Sequence, residues 1–71
     1  RGLNPLERRI LEWVELCTKR NPRPGGDATV LAFARARNIG LQRARRGFTE
    51  LERSGRLVGH GLGSRRVFSL P

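Results

Sequence analysis

Four polar side chains between Leu41 and Ser54 recur at helical spacing, and their types suit hydrogen bonding to an anionic polymer. On a wheel of about 100° per residue, one direction is shared by Gln42, Arg46, Thr49 and Arg53. Arginine can donate two hydrogen bonds to guanine O6 and N7, and glutamine can pair with adenine N6 and N7. Arg43 and Arg45 fall on the two flanks, from which guanidinium groups can reach phosphates.

The other side of the same wheel is apolar. It carries Leu41, Ala44, Phe48 and Leu51, with Gly47 at the margin. We therefore expect a helix over residues 41–54 that packs with one face and presents the other. The alternative is a solvated basic face that binds nothing, because charged helix faces are common.

The composition limits the classes of partner. The chain has 71 residues, which suits a single domain with a small core, spanning residues 1–71. It carries 15 Lys and Arg against 6 Asp and Glu, a net charge of +9, and Lys19 is the only lysine. This excess of positive charge favours a polyanion as the binding partner. A genome rich in G and C would produce the same excess of arginine without any functional demand.

Residues for catalysis or metal binding are scarce. Cys17 is the only cysteine and His60 the only histidine, which excludes an intramolecular disulfide and a Cys/His zinc site. We expect no catalytic residue, no metal, no cofactor and no enzymatic activity of the domain itself. No signal peptide or membrane-spanning apolar run is visible. The expected location is the cytoplasm, at nucleoid or plasmid DNA, without membrane contact by this segment.

Signals for two helices precede residue 41. Asn4 can cap the first, with Pro5 at its first position and Glu7 completing a capping box. Its apolar stripe comprises Leu6, Ile10, Trp13, Val14 and Cys17. Residues 21–27 contain two prolines and two glycines and predict a linker within the domain. Asp27 or Thr29 then caps a second helix that runs to about Arg37, followed by a turn at Ile39 and Gly40.

The third helix is followed by signals for a hairpin. Gly55 suits a helix C-cap, and two short strand-like segments, residues 57–60 and 66–70, flank a glycine-containing tip at 61–64. Arg65 and Arg66 follow the tip, so we expect them on phosphates or in the minor groove. The whole pattern predicts a small α+β fold, a three-helix winged helix-turn-helix with a C-terminal β-hairpin wing. Alternatively, the hairpin only closes a small sheet.

Two resemblances to known families cover about the second half of the chain. The positions Phe33, Ala34, Ile39, Leu51 and Gly55, together with the wing, resemble bacterial winged-helix repressors, including the GntR type. A closer likeness is carried by Ile39-Gly40-x-x-Arg43-Ala44-x-Arg46, Gly55, Val58-Gly59, Gly63-Ser64 and Arg66-Val67. This series resembles the C-terminal gamma domain of FtsK/SpoIIIE-type DNA translocases and of related plasmid-transfer translocases.

The second resemblance implies a domain that recognises short oriented or repeated DNA motifs, with an ATP-driven motor upstream. It places Gln42 and Arg43 at recognition-helix positions and Arg65 and Arg66 in the wing. Because the chain begins with Arg1 rather than Met, we expect a piece of a longer polypeptide, whose other domains are possible partners.

These observations predict a domain that binds double-stranded DNA with some sequence preference, through recognition helix 41–54 and basic wing 57–70. We expect base readout by Gln42, Arg43 and Arg46, with Arg45, Arg53, Arg65 and Arg66 on phosphates or in the minor groove. The expected parent is a DNA translocase or another DNA-processing protein. The alternatives are the DNA-binding domain of a GntR-like transcriptional regulator and a winged helix that docks an acidic protein partner. RNA ranks lower, because few aromatic side chains are available to stack on bases.

Overall fold

Three α-helices and a two-stranded antiparallel sheet form the described part of the chain. The computed structural model describes residues 3–20, 28–61, 63 and 66–71. In chain order the elements are α1 (Pro5–Arg20), α2 (Val30–Arg37), α3 (Leu41–Arg53), β1 (Val58–His60) and β2 (Val67–Ser69). The predicted α+β class is thus confirmed, with three helices preceding a hairpin.

The start of α1 is the predicted capping box. The Glu7 amide donates to Asn4 Oδ1 at 2.7 Å, and the Asn4 amide donates to Glu7 Oε1 at 3.3 Å. Each side chain therefore satisfies an amide that the first helical turn leaves free. The apolar stripe is buried at Ile10, Trp13, Val14 and Cys17, whereas Leu6 is half-buried against the core.

Helix α2 is capped at both ends by local hydrogen bonds. Thr29 Oγ1 accepts from the Ala32 amide at 3.1 Å, so Thr29 is the N-cap. The other candidate cap, Asp27, lies outside the described residues, as does the predicted linker 21–27. The chain leaves α2 through Asn38, in the left-handed region at φ 53°, and the Ile39 amide donates to the Ala34 carbonyl at 2.9 Å. This compact exit allows α3 to begin at residue 41.

Helix α3 is rotated slightly from its predicted orientation. Its buried positions are Ala44, Gly47, Phe48 and Leu51, but Leu41 is 41% exposed. The prediction that Leu41 packs in the core is wrong, because the buried face is centred nearer Gly47. A Cβ on Gly47 would lie 2.6 Å from Ile10 Cδ1, so α1 and α3 approach closely at the position where α3 has no side chain.

The predicted glycine end of α3 is confirmed. Gly55 has φ 82°, its amide donates to the Glu52 carbonyl at 3.1 Å, and the Arg56 amide donates to the Leu51 carbonyl at 2.9 Å. These two bonds form a Schellman motif, which reverses the chain directly into the hairpin.

The hairpin has a regular register and a further link to the segment before α2. Val58 pairs with Ser69, Gly59 with Phe68 and His60 with Val67. Thr29 forms an antiparallel bridge to Val67, and the Phe68 amide donates to the Ala28 carbonyl at 2.9 Å. Residues 28 and 29 therefore hold the outer side of β2, a contact that the sequence did not predict.

A row of aromatic rings crosses the core. Ring centroids are 5.4 Å apart for Trp13 and Phe33, 5.6 Å for Phe33 and Phe48, and 4.8 Å for Phe48 and Phe68. One continuous core thus joins α1, α2, α3 and β2. The apolar faces predicted for the first and third helices include Phe48, whereas Phe33, Phe68 and Leu57 lie outside those two faces and are buried as well.

Candidate nucleic-acid interface

The outer face of α3 presents the predicted polar side chains to solvent. The exposed residues are Gln42, Arg43, Arg45, Arg46, Thr49 and Arg53. Their accessibility follows from the burial of Ala44, Gly47, Phe48 and Leu51 on the other side of the helix. From residue 42 to residue 53 this face extends about 16 Å, at a rise of about 1.5 Å per residue.

Charge is distributed unevenly along this face. The first half of α3 carries Arg43, Arg45 and Arg46 and no acidic residue, whereas Glu50 and Glu52 lie in the second half. Among the described residues, no hydrogen bond or ion pair engages the side chains of these three arginines. The first half therefore offers three cationic hydrogen-bond donors to an external anion.

Arg53 is in a different situation. Its Nη1 lies 3.7 Å from Glu50 Oε2, and the two side chains are 77% and 50% exposed. An ion pair this exposed to water contributes little to stability. An external phosphate can therefore compete with Glu50 for the Arg53 guanidinium.

A cleft of about 450 Å³ lies between α2, α3 and the hairpin. Its lining comprises Val30, Leu31, Leu41, Arg45, Phe48, Thr49, Glu52, Gly63, Arg66 and Phe68. The structure therefore brings Arg45 and Thr49 of α3 to the same opening as Arg66 of the hairpin. Gly63, at the hairpin tip, lies beside the basic face.

Arg66 was predicted to contact phosphate or the minor groove, but it has a partner within the domain. Its guanidinium forms an ion pair with the Glu52 carboxylate, and Cζ lies 5.6 Å from the centroid of the Phe68 ring. Its position relative to α3 is thus set by side-chain contacts. The neighbouring candidate, Arg65, lies outside the described residues.

The sequence pattern did not identify Glu52 and Gly59 as part of this site. On the wheel Glu52 lies about 20° from Leu41, at the edge of the apolar face, and in the structure its side chain is 27% exposed and contacts the hairpin. Gly59 lies in the middle of β1, and a glycine within a strand often marks the close approach of another group. That signal is present in the sequence, although it does not identify the group.

No family model, curated protein or solved structure matches this chain. Within the described ranges, no helix combines the length and apolarity needed to cross a membrane. The same ranges contain no group of three or more His, Cys, Asp or Glu residues that could hold a metal ion.

Proposed function

We propose that this domain binds double-stranded DNA with a sequence preference, using α3 as the element that enters the major groove. The observation that carries the proposal is the first half of α3, where Arg43, Arg45 and Arg46 are exposed and have no acidic partner among the described residues. Such a surface suits a polyanion, and the major groove admits an α-helix.

The order of the elements supports the interpretation as a winged helix-turn-helix. Helices α2 and α3 are joined by only residues 38–40, and the hairpin follows α3 immediately. In this interpretation α2 and α3 are the helix-turn-helix and the hairpin is the wing. Gln42, Arg43 and Arg46 would read base edges, while Arg45 and Arg53 would contact phosphates.

We further propose that the domain is the recognition module of a larger DNA-processing protein, located at nucleoid or plasmid DNA in the cytoplasm. The support is the resemblance of the series from Ile39 to Val67 to the gamma domain of DNA translocases. A GntR-like regulator is the alternative parent. The two parents differ in the expected site, because a dimeric regulator reads a palindrome whereas the translocase module reads an oriented or repeated motif.

Selection from a random duplex pool at moderate salt tests the proposal. Enrichment of a short motif would establish sequence readout, and its repetition in one orientation would favour the translocase module. A palindromic motif would favour the regulator. Recovery of DNA without enrichment would contradict the sequence preference and leave a non-specific DNA clamp.

A second candidate function is the docking of an acidic protein partner. It is favoured by two apolar side chains in the cleft, Leu31 and Leu41, which are 44% and 41% exposed beside Arg45. Non-specific DNA affinity is mainly electrostatic and strengthens as salt is lowered. If a mixed-sequence duplex fails to bind at low ionic strength, the protein partner becomes the better function.

A further inference from the structure

The Arg66 side chain lies in a slot formed by three elements. The Glu52 carboxylate of α3 pairs with the guanidinium, and the Phe68 ring of β2 lies 5.6 Å from Cζ. On β1, Gly59 provides the third wall. Its missing side chain matters, because a Cβ there would lie 2.6 Å from Nε, 2.7 Å from Nη2 and 2.8 Å from Cζ of Arg66.

The slot holds the Arg66–Glu52 ion pair in a more restricted geometry than that of the Arg53–Glu50 pair. The side chains of Arg66 and Glu52 are 41% and 27% exposed, compared with 77% and 50% for Arg53 and Glu50. The Arg66–Glu52 pair also joins α3 to the residue that precedes β2, 14 positions along the chain, whereas the Arg53–Glu50 pair joins neighbours on one helix. Partial burial strengthens a charge-assisted hydrogen bond, and an aromatic face adds attraction for the cation.

We propose that Glu52 is a positioning residue for DNA binding, because it holds Arg66 and thereby restrains the angle of the hairpin's tip end relative to α3, in addition to the core contact between Phe48 and Phe68. This inference rests on the proposed function. The angle matters because Gly63 at the hairpin tip borders the same cleft as Arg45 and Thr49. A hairpin whose tip end moves relative to α3 would present its tip and the basic face to one duplex less often.

If Glu52 positions the hairpin, neutralising it changes the DNA affinity in the direction opposite to the one that electrostatics alone predicts. Neutralising an acid near a DNA-binding surface ordinarily strengthens binding, because a repulsive charge is lost. If Glu52 instead acts through the hairpin, Glu52→Gln weakens binding even though the domain becomes more positive. Arg66→Gln then weakens binding by a similar factor, and the double variant binds no more weakly than either single variant.

Fluorescence anisotropy with a mixed-sequence duplex tests the proposal through this double-mutant cycle. We expect each single variant to bind about fivefold more weakly or worse, with strong non-additivity in the double variant, as for groups that act as a unit. Glu50→Gln is the matched control, because it removes an acid from the same half of α3 without touching the hairpin, and we expect it to bind as tightly as the original domain or more tightly. Tighter binding by Glu52→Gln, or additive effects, would overturn the proposal.

A readout without DNA separates this inference from the proposed function. Residual dipolar couplings of β1 and β2 amides, referred to those of α3, report the hairpin angle directly. We expect Glu52→Gln to change these couplings in a domain that stays folded by circular dichroism, and Glu50→Gln to leave them unchanged. Unchanged couplings in Glu52→Gln would show that Glu52 does not position the hairpin and would overturn the proposal. If the couplings change but the domain binds no duplex, Glu52 positions the hairpin and the proposed function is contradicted.

Discussion

Phe48 of α3 packs against Phe68 of β2, with ring centroids 4.8 Å apart and an interplanar angle of 49°. This contact joins the buried side of the basic helix to the hairpin, and Phe33 extends it to α2 with a centroid distance of 5.6 Å from Phe48. The three elements that border the cleft therefore share one aromatic core. The candidate interface and the stability of the domain depend on the same residues.

Phe48→Ala should lower the free energy of unfolding by about 3 to 5 kcal/mol, because the side chain is 1% exposed and the change leaves a cavity between three elements. A domain of this size has a total stability of about 4 to 11 kcal/mol, so extensive unfolding is expected. Urea denaturation followed by circular dichroism measures the loss. Val58→Ala, at a 40% exposed position of β1, is the control and should cost less than about 1 kcal/mol. Similar losses in both variants would contradict the described core.

Gly55→Ala should destabilise the domain by about 1 to 2 kcal/mol, because Gly55 has φ 82° in the Schellman motif and an L residue is strained there. Thermal and urea denaturation measure the effect. Gly40→Ser is the control, since Gly40 has φ −57° and a Cβ added there would meet no heavy atom within 4 Å. That change should stay within about 0.5 kcal/mol of the original stability. If Gly55→Ala is as harmless as Gly40→Ser, the described end of α3 is incorrect.

The local elements of the fold were predictable from the sequence, whereas contacts between distant segments were not. The capping box at Asn4 and Glu7, the helix end at Gly55 and the hairpin depend on neighbours within a few residues, and all three are confirmed. The bridge from Thr29 to Val67 had no such signal, because a single paired residue produces no alternating pattern.

The candidate site shows the same division. The wheel predicted the exposed face of α3 because one helix determines it, although the buried face is centred closer to Gly47 than expected, which leaves Leu41 at the edge of the cleft. The environment of Arg66 depends on packing between the hairpin and α3. A basic residue after a glycine tip indicates a phosphate contact when only neighbouring residues are considered, and nothing local identifies Glu52 as its partner.

Arg46→Ala should relax base discrimination if Arg46 reads a base edge. We expect a loss of about 1 to 3 kcal/mol on a selected site and a smaller loss on a scrambled duplex. Arg45→Ala should weaken both duplexes by the same factor, since a phosphate contact carries no sequence information. Parallel anisotropy titrations on the two duplexes give the comparison. Equal losses on both duplexes for Arg46→Ala would contradict its assigned role.

If the first half of α3 binds duplex DNA, two triple variants that remove the same number of charges should differ in their affinity for it. One variant replaces Arg43, Arg45 and Arg46 with Ala, and the control replaces the exposed residues Arg8, Arg9 and Arg56, which lie outside this face. Affinity for a mixed-sequence duplex is measured across a salt series, with folding checked by circular dichroism. We predict that the α3 variant loses most of its affinity and that its salt slope becomes shallower by about 0.9, for the one phosphate contact assigned to Arg45. The control variant should keep most of its affinity and most of its salt slope. Equal losses in the two variants would show that net charge, and not the face of α3, accounts for binding.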